Sequence, residues 1–167
     1  MDEYASHLPV LEKALEVFKP KRILEHGCGY YSTPLFARVG VVHSTEHDLP
    51  WINKVNKIPD FPRENWQIVS TNTDILSLDV SGYDLVFVDG AREGRVPSIE
   101  HAINNRVKVI IYHDANLPTF YGYDRLIIPP WYQRVSFAHV EGGRQTVVLT
   151  LGDQGVRDWT VKDHRRL

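Results

Sequence analysis

The segment Tyr83-Asp84-Leu85-Val86-Phe87-Val88-Asp89-Gly90 is the strongest constraint on the fold of this chain. Between Gly82 and Gly90 it runs almost continuously apolar, without the alternation of a strand that has one wet face. A strand covered on both faces reads this way, and such strands belong to parallel sheets sandwiched between helices.

The flanking sequence supplies matching pieces. Leu8, Leu11, Leu15 and Phe18 form one helical stripe after Ser6, and Pro20 ends it. Arg22–Glu25 reads as a strand entering a glycine turn. Pro34–Val39 reads as a helix stopped at Gly40, and Val41–Glu46 as the next strand. Trp51, Ile52 and Val55 mark a short helix broken by Pro59 and Pro62. Trp66–Ser70 is a third strand, and Val107–Tyr112 follows the apolar run as a fifth. Between those two, Val96, Ile99 and Ile103 repeat at helical spacing, with Pro97 placed in the first turn. Thr119–Ile128 predicts a helix ending before Pro129-Pro130. Gln133–Val140 and Gln145–Leu151 flank Glu141-Gly142-Gly143 as a hairpin. Alternating strands and helices closed by a hairpin predict one three-layer α/β domain over residues 1–167. Its sheet is expected to be seven-stranded and mainly parallel with a terminal antiparallel hairpin, and Arg165 and Arg166 to be a solvated tail. Ligands of such sheets bind at the carboxyl ends of the strands.

Composition removes several partners. The net charge of −2 and pI near 6.4 leave no basic field for a phosphate backbone, which disfavours nucleic acid. No apolar stretch approaches the roughly 20 residues that span a bilayer, so no membrane is expected. Cys28 is the single cysteine, which excludes an intrachain disulfide and points to a reducing, cytoplasmic setting.

The turn Glu25-His26-Gly27-Cys28-Gly29-Tyr30-Tyr31-Ser32 carries the first chemistry. Two glycines permit a tight turn and a close backbone approach to a ligand. A dinucleotide fingerprint wants Gly or Ala where Ser32 stands, which argues against a nicotinamide dehydrogenase, as does the terminal hairpin. Glu46 ends the next strand roughly 20 positions on, where a carboxylate accepts both hydroxyls of a ribose diol. The glycines alone would suit an ordinary turn; strand context and Glu46 together favour a nucleoside ligand.

Ile23-Leu24-Glu25-His26-Gly27-Cys28-Gly29 resembles the first motif of class I, Rossmann-like S-adenosylmethionine-dependent methyltransferases. Tyr30-Tyr31-Ser32-Thr33 and Ser44-Thr45-Glu46-His47-Asp48-Leu49-Pro50-Trp51 resemble the GYST and EHD…W segments of a bacterial subset. Tyr83–Gly90 and Ile110-Ile111-Tyr112-His113-Asp114 resemble its fourth and fifth strand ends. The similarity runs in matching order from about residue 20 to 150. It implies S-adenosylmethionine (SAM) as cofactor. Glu25, Gly27, Cys28 and Gly29, with Ser32 and Thr33, would then serve the amino-acid end of the cofactor. Glu46 would hold the ribose, His47, Asp74 and Ile75 the adenine, and Asp89 would stand beside the methionine end. The chain departs from the family at Arg106-Val107-Lys108, where a Gly-Gly pair is usual, and it lacks an inserted cap over the acceptor.

Methyl transfer is an in-line displacement at a sulfonium, so alignment matters most, and a hydroxyl acceptor also needs a base. Asp89, His113 and Asp114 converge at strand ends as candidates, with His113 best placed by its ordinary pKa. Arg92 is the candidate for an acidic acceptor group. Each also has an ordinary role as a cap, loop ligand or surface ion pair. Asp89, Asp114 and Asn116 are oxygen donors of the type magnesium takes. The Asp114-Ala115-Asn116 spacing lacks the adjacent acid and amide of metal-dependent relatives, so no metal is expected. No H-E-x-x-H pattern, cysteine pair or G-x-S-x-G elbow supports zinc, thiol or esterase chemistry. Tyr30, Tyr31, Trp51, Tyr121, Tyr123 and Trp131 are candidate walls of an acceptor pocket. The expected activity is methyl transfer to a small hydroxyl or amine acceptor. The alternative is a non-catalytic SAM-binding module, or a subunit completed by a partner or a second copy of the chain.

Overall fold

The computed structural model describes residues 5–152 and 155–167. Helix α1 (Leu8–Phe18) buries Val10, Leu11, Ala14 and Leu15 and ends where Lys19 takes a left-handed backbone. Strand β1 (Arg22–His26) follows, then α2 (Ser32–Ala37), β2 (Val41–Thr45), α3 (Leu49–Asn56) and β3 (Trp66–Ser70). The apolar run is β4 (Leu85–Val88), followed by α4 (Arg92–Asn104) and β5 (Val109–Tyr112). The chain closes with α5 (Pro118–Tyr121), β6 (Tyr132–His139), β7 (Gln145–Leu151) and β8 (His164–Arg166).

The sheet order is β3-β2-β1-β4-β5-β7-β6-β8. The first five strands run parallel and β7 runs antiparallel between β5 and β6. Alternate side chains of the central strands feed two cores. Ile23, Val42, Leu85, Phe87 and Ile111 pack with α1, α2 and α3 on one face. Leu24, Val86, Val88 and Ile110 pack with α4 on the other. This is the Rossmann-like three-layer arrangement, and the four residues of β4 are fully buried, as their unbroken apolarity requires.

Three local expectations change. The sheet has eight strands, because Arg165 and Arg166 leave the solvated tail and pair with β6 as β8. The open edge of β6 supplies the hydrogen bonds, and a basic edge strand in turn discourages further pairing. Helix α4 begins four residues before Val96, at Arg92, so Pro97 lies in its second turn. The early start lets Gly94 pack under the β3–β4 loop; a Cβ there would sit 1.4 Å from the Thr73 carbonyl oxygen. The helix expected to reach Ile128 stops at Gly122, whose left-handed backbone ends it, and continues only as a turn at Tyr123–Arg125. Among the described residues no helix is long and apolar enough to cross a membrane.

Candidate functional site

A cleft of about 490 Å³ opens at the carboxyl ends of β1, β2, β4 and β5. Small-molecule sites span roughly 300–1,000 Å³. Its floor is the turn after β1. Gly27 has φ +87°, and a Cβ on it would stand 2.2 Å from the Gly90 Cα. The β1 and β4 loops therefore meet glycine to glycine.

Beneath the turn, Glu25 is fully buried and collects three hydroxyl donors: Ser32 at 2.5 Å, Thr33 at 2.6 Å and Ser44 at 2.8 Å. Burial raises its carboxyl to about 7 against the pull of those hydrogen bonds. The Ser32 and Thr33 hydroxyls are thus turned inward, and Thr33 Oγ1 also accepts the Gly29 amide at 2.8 Å. Trp51 of α3 donates its ring N–H to the Cys28 carbonyl at 2.6 Å, tying the turn to α3. Burial pushes the Cys28 thiol far up, which removes it as a nucleophile.

Glu46 follows β2 and is nearly buried at the cleft wall. Its Oε1 accepts the Asp48 amide at 3.0 Å and lies 3.1 Å from Nδ1 of the more exposed His47. Asp48 caps α3 through the Trp51 amide. Beside Glu46, the residues His47, Asn72 and Thr73 close around a crevice too narrow for a water molecule.

The far end of the cleft holds a charge network. Arg95, 5% exposed, lies 2.9 Å from Asp89 Oδ1 and 3.5 Å from Asp114 Oδ2. Its guanidinium also stacks 4.0 Å over the Tyr121 ring and donates to the Asp89, Gly90 and His113 carbonyls. Arg144, in the turn just before β7, reaches Asp114 Oδ1, and Tyr121 donates to Asp114 Oδ2 at 3.2 Å. Burial works to raise Asp114, but His113, Arg144 and Arg95 outweigh it and hold the carboxyl below its usual range. Asp114 adopts φ +56°, a conformation that costs a non-glycine residue about 1–3 kcal/mol. Burial raises the Asp89 carboxyl, with Arg95 opposing. Burial lowers His113, which bonds Thr146 at 2.9 Å and Ser6 at 3.2 Å.

Of the residues singled out in the sequence, Gly27, Cys28, Gly29, Ser32, Glu46, His47, Asp89, His113 and Asp114 line the cleft, as do Tyr30, Tyr31, Trp51 and Tyr121. Glu25 and Thr33 lie under it. Asp74 and Ile75 stand outside its lining: Asp74 accepts the Leu76 amide, and Ile75 is buried in the α4 core. Arg92 is exposed, with its guanidinium 4.3 Å from the Phe120 ring centre. The inward position belongs to Arg95, one turn further along α4. Asn116 Oδ1 accepts the Gln145 amide instead of joining Asp89 and Asp114, whose carboxylates face arginines. Tyr123 is buried behind Arg95, and Trp131 lies away from the cleft. Sequence reasoning missed His7, Arg95 and Arg144. The start of α4 at Arg92 was the missing signal for Arg95; nothing local marked the other two.

No family model matches the sequence, and no curated protein matches it. Among solved structures the chain is similar to the O-methyltransferase TomG from Streptomyces achromogenes, involved in tomaymycin synthesis and in complex with SAM. The identity is 17%, with 92% of this chain and 91% of that chain covered and a TM-score of 0.70. It is also similar to the precorrin-6y C5,15-methyltransferase from Geobacter metallireducens GS-15, at 16% identity, 92% of each chain and a TM-score of 0.65. A third is an O-methyltransferase from Bacillus cereus in complex with SAH, at 18% identity, 90% and 81% coverage and a TM-score of 0.60. These likenesses define a class of fold, the Rossmann-like α/β domain.

Proposed function

We propose that this chain binds SAM in the cleft and transfers a methyl group to a small hydroxyl or amine acceptor. One observation carries the reading. The glycine turn, the β2-end carboxylate Glu46 and the β4-end carboxylate Asp89 open into one cleft, beside a cluster of histidines and arginines. The three similar structures are all of methyltransferases, which supports the reading at the level of fold.

The residues present fit the cofactor. The Gly27 turn brings backbone within reach of an amino-acid group, and Ser32 and Thr33 act at one remove by fixing that turn through Glu25. Glu46 would receive the ribose hydroxyls. His47 would lie along the adenine, and Asp74 and Ile75, outside the cleft lining, would act on it only from behind. Bound SAM supplies an electrophilic methyl carbon on a positively charged sulfur. Asp89 favours that charge from the cleft wall, and the Arg95 fork holds Asp89 and Asp114 in place. Such positioning accounts for roughly 7–11 kcal/mol of barrier in oriented reactions.

The test is calorimetric titration of the protein with S-adenosylhomocysteine (SAH), with NAD as control and Glu46→Ala alongside. Micromolar SAH binding, weakened at least tenfold in the variant and absent for NAD, is expected. A folded protein that ignores SAH would end this reading. Turnover against hydroxyl and amine acceptors then separates an enzyme from a binding module.

A further inference from the structure

We infer that His7, rather than His113, takes the acceptor's proton in this methyl transfer; the inference rests on the methyltransferase reading. Two histidines meet at the acceptor end of the cleft, their ring centres 4.9 Å apart and edge to face. They differ in what their nitrogens do. His113 Nδ1 is bonded to Thr146 and Nε2 to Ser6, so both ring atoms are committed to holding the β5 end against β7 and the start of the chain. His7 is 5% exposed, lines the cleft, and among the described residues has no hydrogen-bond partner on either ring nitrogen.

Buried polar atoms are nearly always satisfied. Two orphaned nitrogens on one ring at a ligand cleft mark a group whose partner arrives with the ligand. The ring is held in place from its own backbone. The His7 carbonyl accepts the amides of Val10 and Leu11 at 3.1 Å each, so the first turn of α1 anchors it. Phe87 backs it, with ring centres 5.4 Å apart.

Charges of both signs face His7. Asp89, just after β4, stands with Oδ2 3.8 Å from Nδ1, too far to bond yet near enough to stabilise an imidazolium. His113 from the end of β5, Arg95 from α4 and Arg144 from the turn before β7 face it, with Asp114 behind them. Burial, then those three groups, holds His7 well below the ordinary histidine range, so the ring is neutral before the step and the imidazolium formed in it relies on the Asp89 carboxylate. In the step, a lone pair of the acceptor oxygen or nitrogen forms the bond to the methyl carbon. The carbon–sulfur bond breaks and its electron pair stays on sulfur as a neutral thioether. The acceptor's proton passes to the free nitrogen of His7.

The test compares SAM and SAH, which differ by one positive charge at sulfur, as probes of the full chain. Histidine ring signals are followed by 15N NMR across pH, and the His7 signals are those absent from H7Q. The His7 midpoint should be at least about half a unit lower with SAM than with SAH, while His43 titrates identically in both. If the His7 ring stays neutral throughout, a SAM-versus-SAH difference in its 15N shifts is the same readout. H7Q should bind SAH within about threefold of the parent, and on any acceptor the parent methylates it should lose at least a hundredfold in kcat with KM for SAM unchanged. Identical His7 behaviour in the two complexes overturns the inference, as does a tenfold loss of SAH affinity in H7Q, which would make His7 part of the cofactor's seat. If the parent binds neither probe, a flat calorimetric trace shows that the methyltransferase reading has failed first and takes this one with it.

Discussion

The two ends of the cleft are built differently. The turn end is local: Glu25, Gly27, Ser32, Thr33 and Ser44 come from one strand, one turn, one short helix and the next strand, and their bonds are short and neutral-to-anionic. The far end is assembled at long range. Arg95, Asp89, Asp114, Arg144 and His7 come from five segments and are joined by charge. A local cluster fixes a shape that a common ligand part requires. A long-range cluster can be varied one residue at a time, which on the proposed methyltransferase reading suits the part of the site that meets the acceptor.

The largest effect should come from breaking the far end. Arg95→Met leaves Asp89 and Asp114 without their shared cation. Losing one partner of a buried ion pair costs about 3–5 kcal/mol. Denaturant unfolding should register a loss of that order. If Arg95→Met is as stable as the parent, the network is no more than surface electrostatics.

The turn end should answer to pH instead. The folded pKa of Glu25 is raised from 4.5 to about 7. A raised carboxyl favours folding below its unfolded pKa, and that advantage is lost as pH rises through the folded one. Stability of the parent relative to Glu25→Gln should therefore fall between about pH 4.5 and 7, by up to about 3 kcal/mol, and level off above. A flat difference over that window would mean that the three hydroxyls keep Glu25 ionised.

Gly27→Ala should follow at about 2–4 kcal/mol, from a strained left-handed alanine and overpacking against Gly90. It should also abolish SAH binding, measured by calorimetry, while Arg95→Met only weakens it. Equal losses of SAH affinity in both variants would erase the division of labour between the two ends.

The same division explains what could be read from the residues alone. The unbroken apolarity of Leu85–Val88 announced a strand buried on both faces, and Gly27 and Glu46 announced the cleft, because each stands next to a strand end in the chain. Ser32 and Thr33 were visible as residues, but their direction depended on a buried Glu25 that only the packed sheet creates. Arg95 was hidden because helix phase follows from the first residue of α4, and the packing of Gly94 against Thr73 sets that residue. His7 and Arg144 were hidden because α1 and the β6–β7 hairpin reach the cleft only in three dimensions. The pairing of β8 with β6 was likewise illegible, since three basic or histidine residues carry no strand pattern of their own.

The smallest expected effect compares Arg92 with Arg95, two arginines one helical turn apart. Arg92 is exposed and its guanidinium sits over Phe120, a contact worth about 0.5–1 kcal/mol at an exposed site. Arg92→Ala should cost no more than that in a denaturant melt and leave SAH affinity within twofold by calorimetry. Its position outside the cleft lining gives it no carboxylate of the network to hold. A loss of SAH affinity matching that of Arg95→Met would require α4 to be rotated relative to the sheet. Gly94, with Thr73 seated where its Cβ would be, leaves no room for that rotation.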